Sequence, residues 1–186
     1  MNNTKEFQCP IPCVLGNEGH CGRTHHEYFS HCEKRFNEKR QQRSFVPIVK
    51  PKTVVLLTCS KEKHPLPVRA KYLYHGDYFI TSYKYAQSLD PDEIYILSAK
   101  YHLIFPNQVI HPYDLSLNQM SASERREWAQ KVLYKLKRVC DIDHAHFTFL
   151  GGYKYREHLI PYLPNHSAPL QGMGIGKQLQ FMKNSI

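Results

Sequence analysis

The stretch from Leu97 to Leu117, LSAKYHLIFPNQVIHPYDLSL, concentrates more groups able to do chemistry than any other part of this chain. Ser98, Lys100, Tyr101, His102, His111, Tyr113 and Asp114 supply hydroxyls, an amine, imidazoles and a carboxylate, while Ile104, Phe105, Val109 and Ile110 can pin the same segment to a core. Over about twenty residues it has neither helical nor alternating periodicity, and compact domains seldom leave such a length irregular without a use. It reads as a site. Two further stretches could contribute. Cys59, Ser60, Lys61, Glu62 and Lys63 follow the apolar run TVVLLT, and Gly172, Gly174 and Gly176 precede the helical stretch QLQFMK. Glycines ahead of a helix leave backbone N–H groups free to face an anion, and with the lysines they favour an anionic ligand.

These groups must be held by strands and helices. Thr53–Thr58 is a continuous β-branched apolar run, as in a strand covered on both faces, and Glu93–Leu97 is a second that leads into the central segment. His146–Leu150 is a third strand, and residues 168–170 make a short fourth. Between them the spacing predicts a helix from Gly76 to Leu89, halted by Asp90-Pro91. Another helix is capped by Ser121 or Ser123, carries the stripe Trp128, Val132, Leu133, Leu136, Val139, and ends near Cys140. Tyr153–Leu163, with Tyr155 and Arg156, reads as a short helix. Alternating strands and helices imply an α/β fold, a three-layer αβα arrangement with a mostly parallel sheet of about four strands. In such sheets ligands gather at the carboxyl ends of the strands, where all three polar stretches would lie.

Residues 1–45 differ in kind. Cys9, Cys13, Cys21 and Cys32 fall among His20, His25, His26 and His31, a density that a reducing compartment explains better by metal than by disulfides. The first reading is a small Cys/His-rich segment folded around structural zinc held by those four cysteines, with His20 or His25 as a substitute for one of them. Free thiols and an iron–sulfur cluster are the alternatives, because the spacings match no standard finger. HCEKRFNEKRQQR at residues 31–43 predicts a charged helix, and the prolines of VPIVKPK place the start of the main domain at residue 46.

Lys and Arg number 25 against 16 Asp and Glu, a formal charge of +9, which favours nucleic acid or nucleotide as partner. With 41% hydrophobic residues in 186 the chain can bury a real core. No apolar run is long enough for a membrane helix and the N-terminus has no signal-peptide pattern, so the expectation is a cytoplasmic protein with no membrane partner.

LSAKYHLIFPNQVIHPYDLSLNQMSASERREWA resembles the signature LSAKHGLL-P…I-x-PYD-x-x-L-x-x-M…E-R-x-x-W of a bacterial and phage family of unknown function. Its CSKxK segment corresponds to Cys59–Lys63, its GxxYR-like segment to Gly151–Arg156, and its closing GLGIGxQL to Gly172–Leu179. The resemblance spans residues 53–182 and leaves out the Cys-rich segment. More remotely it is similar to YaaA-like peroxide-stress proteins, which bind DNA, and to the uracil-DNA-glycosylase-like core of archaeosine synthases. His102 stands where the signature has glycine, so the backbone there is expected to bend differently.

The resemblance implies a ligand class more than a reaction, and three readings follow. In the first, the protein is an N-glycosidase acting on nucleic acid or a nucleotide. Asp114 stabilises the cationic sugar and orients water, His111 donates to the leaving base with His102 in reserve, and Tyr101 or Tyr113 stacks on the base. Ser60, Lys61, Lys63, Ser98, Lys100, Tyr155, Arg156 and the three glycines hold substrate and phosphate. In the second, the same loops serve a non-catalytic DNA- or RNA-binding protein of stress response or phage defence. In the third, the zinc segment is an interaction module and the α/β domain its scaffold. Plainer roles stand beside these: Asp114 as a turn cap, His111 in ordinary loop packing, Tyr113 as a core anchor and Cys59 as a small buried residue.

Overall fold

A computed structural model of the chain describes residues 51–186. The cysteines Cys9, Cys13, Cys21 and Cys32, the helix expected at 31–43 and the boundary at residue 46 lie outside the described residues.

The chain enters through β1 (Thr53–Thr58), then β2 (Val68–Arg69), the single turn α1 (Ala70–Leu73) and α2 (Asp77–Ser88). β3 (Glu93–Ser98) turns back into β4 (His102–Ile104), and β5 (Val109–Ile110) follows. After a 3-10 turn at Leu117–Gln119 come α3 (Ala122–Leu136), β6 (His146–Leu150), β7 (His166–Ser167) and α4 (Ile175–Asn184).

β1 lies at the centre of a five-stranded sheet ordered β4-β3-β1-β6-β7, parallel except for β4. Its run VVLL is buried on both faces because alternate residues enter different cores. Val54 and Leu56 join Tyr95, Leu97, Phe147 and Phe149 under the α3 stripe Trp128, Val132, Leu133, Leu136. Val55 and Leu57 join Ile96 and Ile104 under Phe79, Tyr85 and Ala86 of α2 and Met182 of α4. The result is the expected three-layer αβα architecture.

The sheet has five strands where about four were expected, because the central segment is less irregular than its sequence suggests. β4 pairs antiparallel with β3, and β5 forms a separate two-stranded ribbon with β2. Strands of two or three residues are too short for a period to register, and β2 and β5 meet across 40 residues of chain. The last strand falls at 166–167 rather than 168–170, bounded by Pro164 and Pro169, neither of which can donate to a ladder. Tyr153–Leu163 forms two 3-10 turns rather than one helix, the second carrying Pro161 in its first turn.

Ser121 is the cap of α3. Its hydroxyl accepts from the Glu124 amide at 3.3 Å, and the Glu124 carboxylate accepts from the Ser121 amide at 2.7 Å. This reciprocal box satisfies two of the helix's unpaired donors. Ser121→Ala is therefore expected to remove about 1 kcal/mol of stability, read as a drop of a few degrees in the thermal midpoint with the folded far-UV spectrum unchanged.

Candidate functional site

The chain passes from β1 to β3 on one side of the sheet and from β6 to β7 on the other, so the connections diverge at the carboxyl ends of β1 and β6. Such a divergence opens a crevice above the strands. A cleft of about 330 Å³ lies at this end of the sheet. One wall is the loop leaving β1, with Cys59, Ser60, Lys61 and Lys63; the other is Asp114 to Gln119 from the end of the central segment, and Tyr155 closes it.

The β1 and β6 ends approach each other closely. A Cβ on Gly151 would fall 2.1 Å from Thr58 Cγ2, so only glycine lets the two backbones come this near. Gly151 also accepts, through its carbonyl, a hydrogen bond of 2.9 Å from the buried Arg156 guanidinium. One residue earlier in the sequence, the Tyr155 hydroxyl lies 3.2 Å from Cys59 Sγ across the cleft floor. Burial, and next the Cys59 thiol, push the Tyr155 phenol far above its ordinary pKa, so it remains protonated and available as a donor.

Asp114 is held from both sides. Before it, the Tyr113 hydroxyl lies 2.8 Å from Ser98 Oγ and 2.9 Å from the Tyr74 hydroxyl, a buried network to which the Tyr101 amide donates at Ser98. Burial, then nearby Cys59 and Tyr74, keep Tyr113 protonated throughout the accessible pH range. After it, Ser116 and Gln119 form a second capping box: the Ser116 hydroxyl accepts from the Asn118 amide at 3.2 Å, and the Gln119 side chain accepts from the Ser116 amide at 3.0 Å. Leu117 is fully buried beneath it. The carboxylate thus projects at the cleft edge from a backbone fixed within three residues on either side.

Lys63 faces it. The amine lies 4.5 Å from the centre of the Tyr113 ring and donates to the Lys61 carbonyl at 3.1 Å. Burial lowers its pKa from the ordinary lysine value, against the pull of Cys59 and then Asp114, which favour the charged form. Carboxylate, two lysines and a phenol therefore line one opening, a set that can bind an anion, transfer a proton and stabilise positive charge.

Among protein families, residues 54–184 match one described as a family of unknown function, DUF6884. The chain belongs to it. No curated protein and no solved structure matches the chain. The DUF6884 match runs from β1 to α4 and takes in every wall of the cleft; the Cys/His-rich segment lies outside it.

Of the site residues expected from the sequence, the DUF6884 domain brings Ser60, Lys61, Lys63, Asp114 and Tyr155 to the cleft. Tyr113 lies beneath it as a hydrogen-bonded anchor, and Ser98 is fully buried, donating or accepting only within the protein. His111 is exposed, and the group the structure uses is its carbonyl, which accepts from the Tyr101 hydroxyl at 3.3 Å. Lys100 is exposed with its amine 5.4 Å from the Tyr101 ring centre, and neither residue lines the cleft. Arg156 supports the cleft from below through Gly151. Gly172 has φ of +81°, a left-handed turn, and Gly174 is the N-cap of α4. The glycine loop does not line the cleft; its helix is tied to α2 by a hydrogen bond from the Tyr78 hydroxyl to Gln178.

Cys59 lines the cleft with the rest of the β1-end stretch, whereas Leu115, Ser116, Asn118 and Gln119 are cleft walls that the sequence reading missed. The spacing Ser116-x-x-Gln119 was the available signal, since a Ser followed three residues later by Gln marks a capping box and hence a fixed turn just after Asp114. Among the described residues no cluster of His, Cys, Asp and Glu could hold a metal ion. No described helix is long and apolar enough to cross a membrane.

Proposed function

We propose that this cleft hydrolyses an N-glycosidic bond in nucleic acid or a nucleotide. The reading is carried by one observation, that Asp114 shares a strand-end opening with Lys61, Lys63 and the Tyr155 phenol. It is consistent with the remote likeness of the LSAK…PYD segment to YaaA-like proteins and to the uracil-DNA-glycosylase-like core of archaeosine synthases.

In this mechanism the bond from the sugar C1′ to the base nitrogen breaks with its electron pair leaving on the base. Asp114 stabilises the cationic sugar and accepts a proton from the water that adds to C1′. The leaving base takes a proton from Lys63, a role the sequence suggested for His111, whose ring is not at the cleft. A depressed pKa makes the Lys63 ammonium a better acid than an ordinary lysine. Lys61, Ser60 and Asn118 are within the same walls and supply phosphate and sugar contacts.

The pH dependence has a definite sign. The donor is the ammonium, so base release is full below the Lys63 pKa and falls as pH rises through it, and burial places that limb below the ordinary lysine value. Lys63→Arg keeps the charge but cannot give up its proton, so it is expected to retain binding while losing both most of the rate and the alkaline limb. A rate profile whose alkaline limb is unchanged in the variant removes Lys63 from the proton-donating role.

The direct test is incubation of the purified protein with nucleosides, nucleotides and oligonucleotides carrying normal and modified bases, followed by chromatography for free base. Release from at least one class is expected. The net charge of +9 equally favours a second reading, a nucleic-acid binder without catalysis. Tight, salt-sensitive binding with no free base from any substrate selects that reading instead.

A further inference from the structure

A second opening lies on the other side of the β1–β2 loop. It is a groove of about 430 Å³ between α1 and α2, with Tyr72, Phe79, Ile80 and Tyr83 as its apolar surface and Lys71 and Lys84 at its margins. Ile80, Tyr83, Lys84 and Gln87 recur at helical spacing along one face of α2, so the groove follows the helix. Tyr72 is 62% and Ile80 41% exposed, whereas the opposite face of α2 is buried in the core. Tyr72 and Ile80 fill no interior space, while Phe79 beneath them belongs to the core. Tyr83 stacks on Phe79 with ring centres 6.2 Å apart and planes at 21°, which holds its ring in place, and the Lys71 amine is 5.1 Å from the Tyr72 ring centre.

The charges that line this groove have one sign. Among the described residues that line it, Lys71, Lys84 and His75 are the only ionisable groups apart from tyrosines, and none is a carboxylate. Rings flanked by lysines suit a chain that alternates flat π-faces with negative charges, because each base can stack while its phosphate meets an amine. An acidic peptide would satisfy the lysines but leave the rings without stacking partners.

The groove also adjoins the cleft. Lys63 and Tyr74 pair as an isolated antiparallel bridge, closed by the His64 amide on the Leu73 carbonyl at 2.7 Å and the His75 amide on the Glu62 carbonyl at 3.5 Å. Lys63 lines the cleft and Tyr74 lines the groove, so a single backbone ladder separates the two. We propose that the groove binds a single-stranded run of nucleic acid, bases on Tyr72 and Tyr83 and phosphates on Lys71 and Lys84, leading into the cleft. The substrate class is then a polymer rather than a free nucleotide. The claim that the strand is a substrate rests on the N-glycosidase reading; the claim that the groove binds it does not.

The test measures fluorescence anisotropy of a labelled oligothymidylate with wild-type protein and with Tyr72→Ala and Lys84→Glu, both exposed positions outside the cleft. Loss of one stacked base is expected to weaken binding by roughly 5- to 150-fold in Tyr72→Ala. Lys84→Glu is expected to weaken it too, with the slope of log affinity against log salt reduced by about 0.7 for the lost phosphate contact. Thermal midpoints and binding of thymidine monophosphate should not change. Wild-type affinity in both variants overturns the proposal, as does a poly-glutamate peptide that displaces the oligonucleotide at equal charge concentration. The two readings fail separately. If oligonucleotides lose base but the groove variants release it as wild-type does, the groove is wrong and the glycosidase stands; if groove variants lose affinity and no substrate ever loses base, the reverse holds.

Discussion

Asp114→Asn is expected to reduce base release by about 10²–10⁴-fold, the usual contribution of a positioned acid–base group, while leaving substrate affinity within a few-fold. Asparagine has the same shape as aspartate and fits the same turn, so the two anchors beside it, the Tyr113 hydroxyl network and the Ser116–Gln119 box, remain. What disappears is a negative charge facing the sugar and an acceptor for the proton of water. The experiment compares single-turnover release with binding of the same oligonucleotide. Loss of both together would mean that Asp114 only shapes the loop, the turn-cap role open to any aspartate here. Retention of both would move the chemistry elsewhere. Tyr113→Phe provides the contrast. It keeps the ring under Lys63 but removes a hydroxyl bonded to Ser98 and Tyr74, so it is expected to lower stability by about 1–3 kcal/mol, and to lower the rate by letting Asp114 wander.

How far the sequence discloses this arrangement depends on the range of the interaction concerned. β1, β3 and β6 are legible because a strand buried on both faces must be apolar throughout, and α3 because Ser121 and Glu124 announce its start and a stripe of large side chains its buried face. His102 is a departure from the signature that predicts a different bend, and the backbone does not make one. The residue takes the place of a glycine and adopts φ of +67°, the left-handed conformation glycine would supply. Position along the chain also sufficed for Lys61 and Lys63, which follow the carboxyl end of a central parallel strand, whereas Asp114 lies beyond β5 and reaches the cleft through the fold of the central segment. Side-chain direction was not legible. His111 and Asp114 are three residues apart in one segment, yet His111 is exposed away from the cleft and Asp114 lines it, with Tyr113 between them anchored by its hydroxyl to Ser98 and Tyr74. Arg156 is the same lesson reversed: its charge suggested phosphate, and its burial makes it a support for the Gly151 carbonyl. The ribbon of β2 and β5 had no local signal at all, because Val68 meets Ile110 only once the layers have assembled.

Gly151→Ala is expected to be the most destabilising single-carbon change in the domain. The added Cβ would lie 2.1 Å from Cγ2, 2.8 Å from Oγ1 and 3.0 Å from Cβ of Thr58, and a β-branched side chain at the end of a central strand cannot rotate all three away. The strands must part, and overpacking of this kind costs about 1–3 kcal/mol or more. Thr58→Ala removes the two nearest of those atoms, so the double variant should recover most of the loss. A double-mutant cycle on denaturant midpoints is then expected to give a coupling above about 1 kcal/mol, whereas sites that do not touch would add. The cycle also bears on function. Parting β1 from β6 carries Cys59 away from the Tyr155 hydroxyl and shifts the carbonyl that holds Arg156. Gly151→Ala should therefore lower base release beyond what its unfolded fraction explains, and Thr58→Ala should restore stability and rate together. Stability restored without rate would mean that the close approach of the two strands serves the sheet alone, and that the cleft takes its shape from the Asp114 wall.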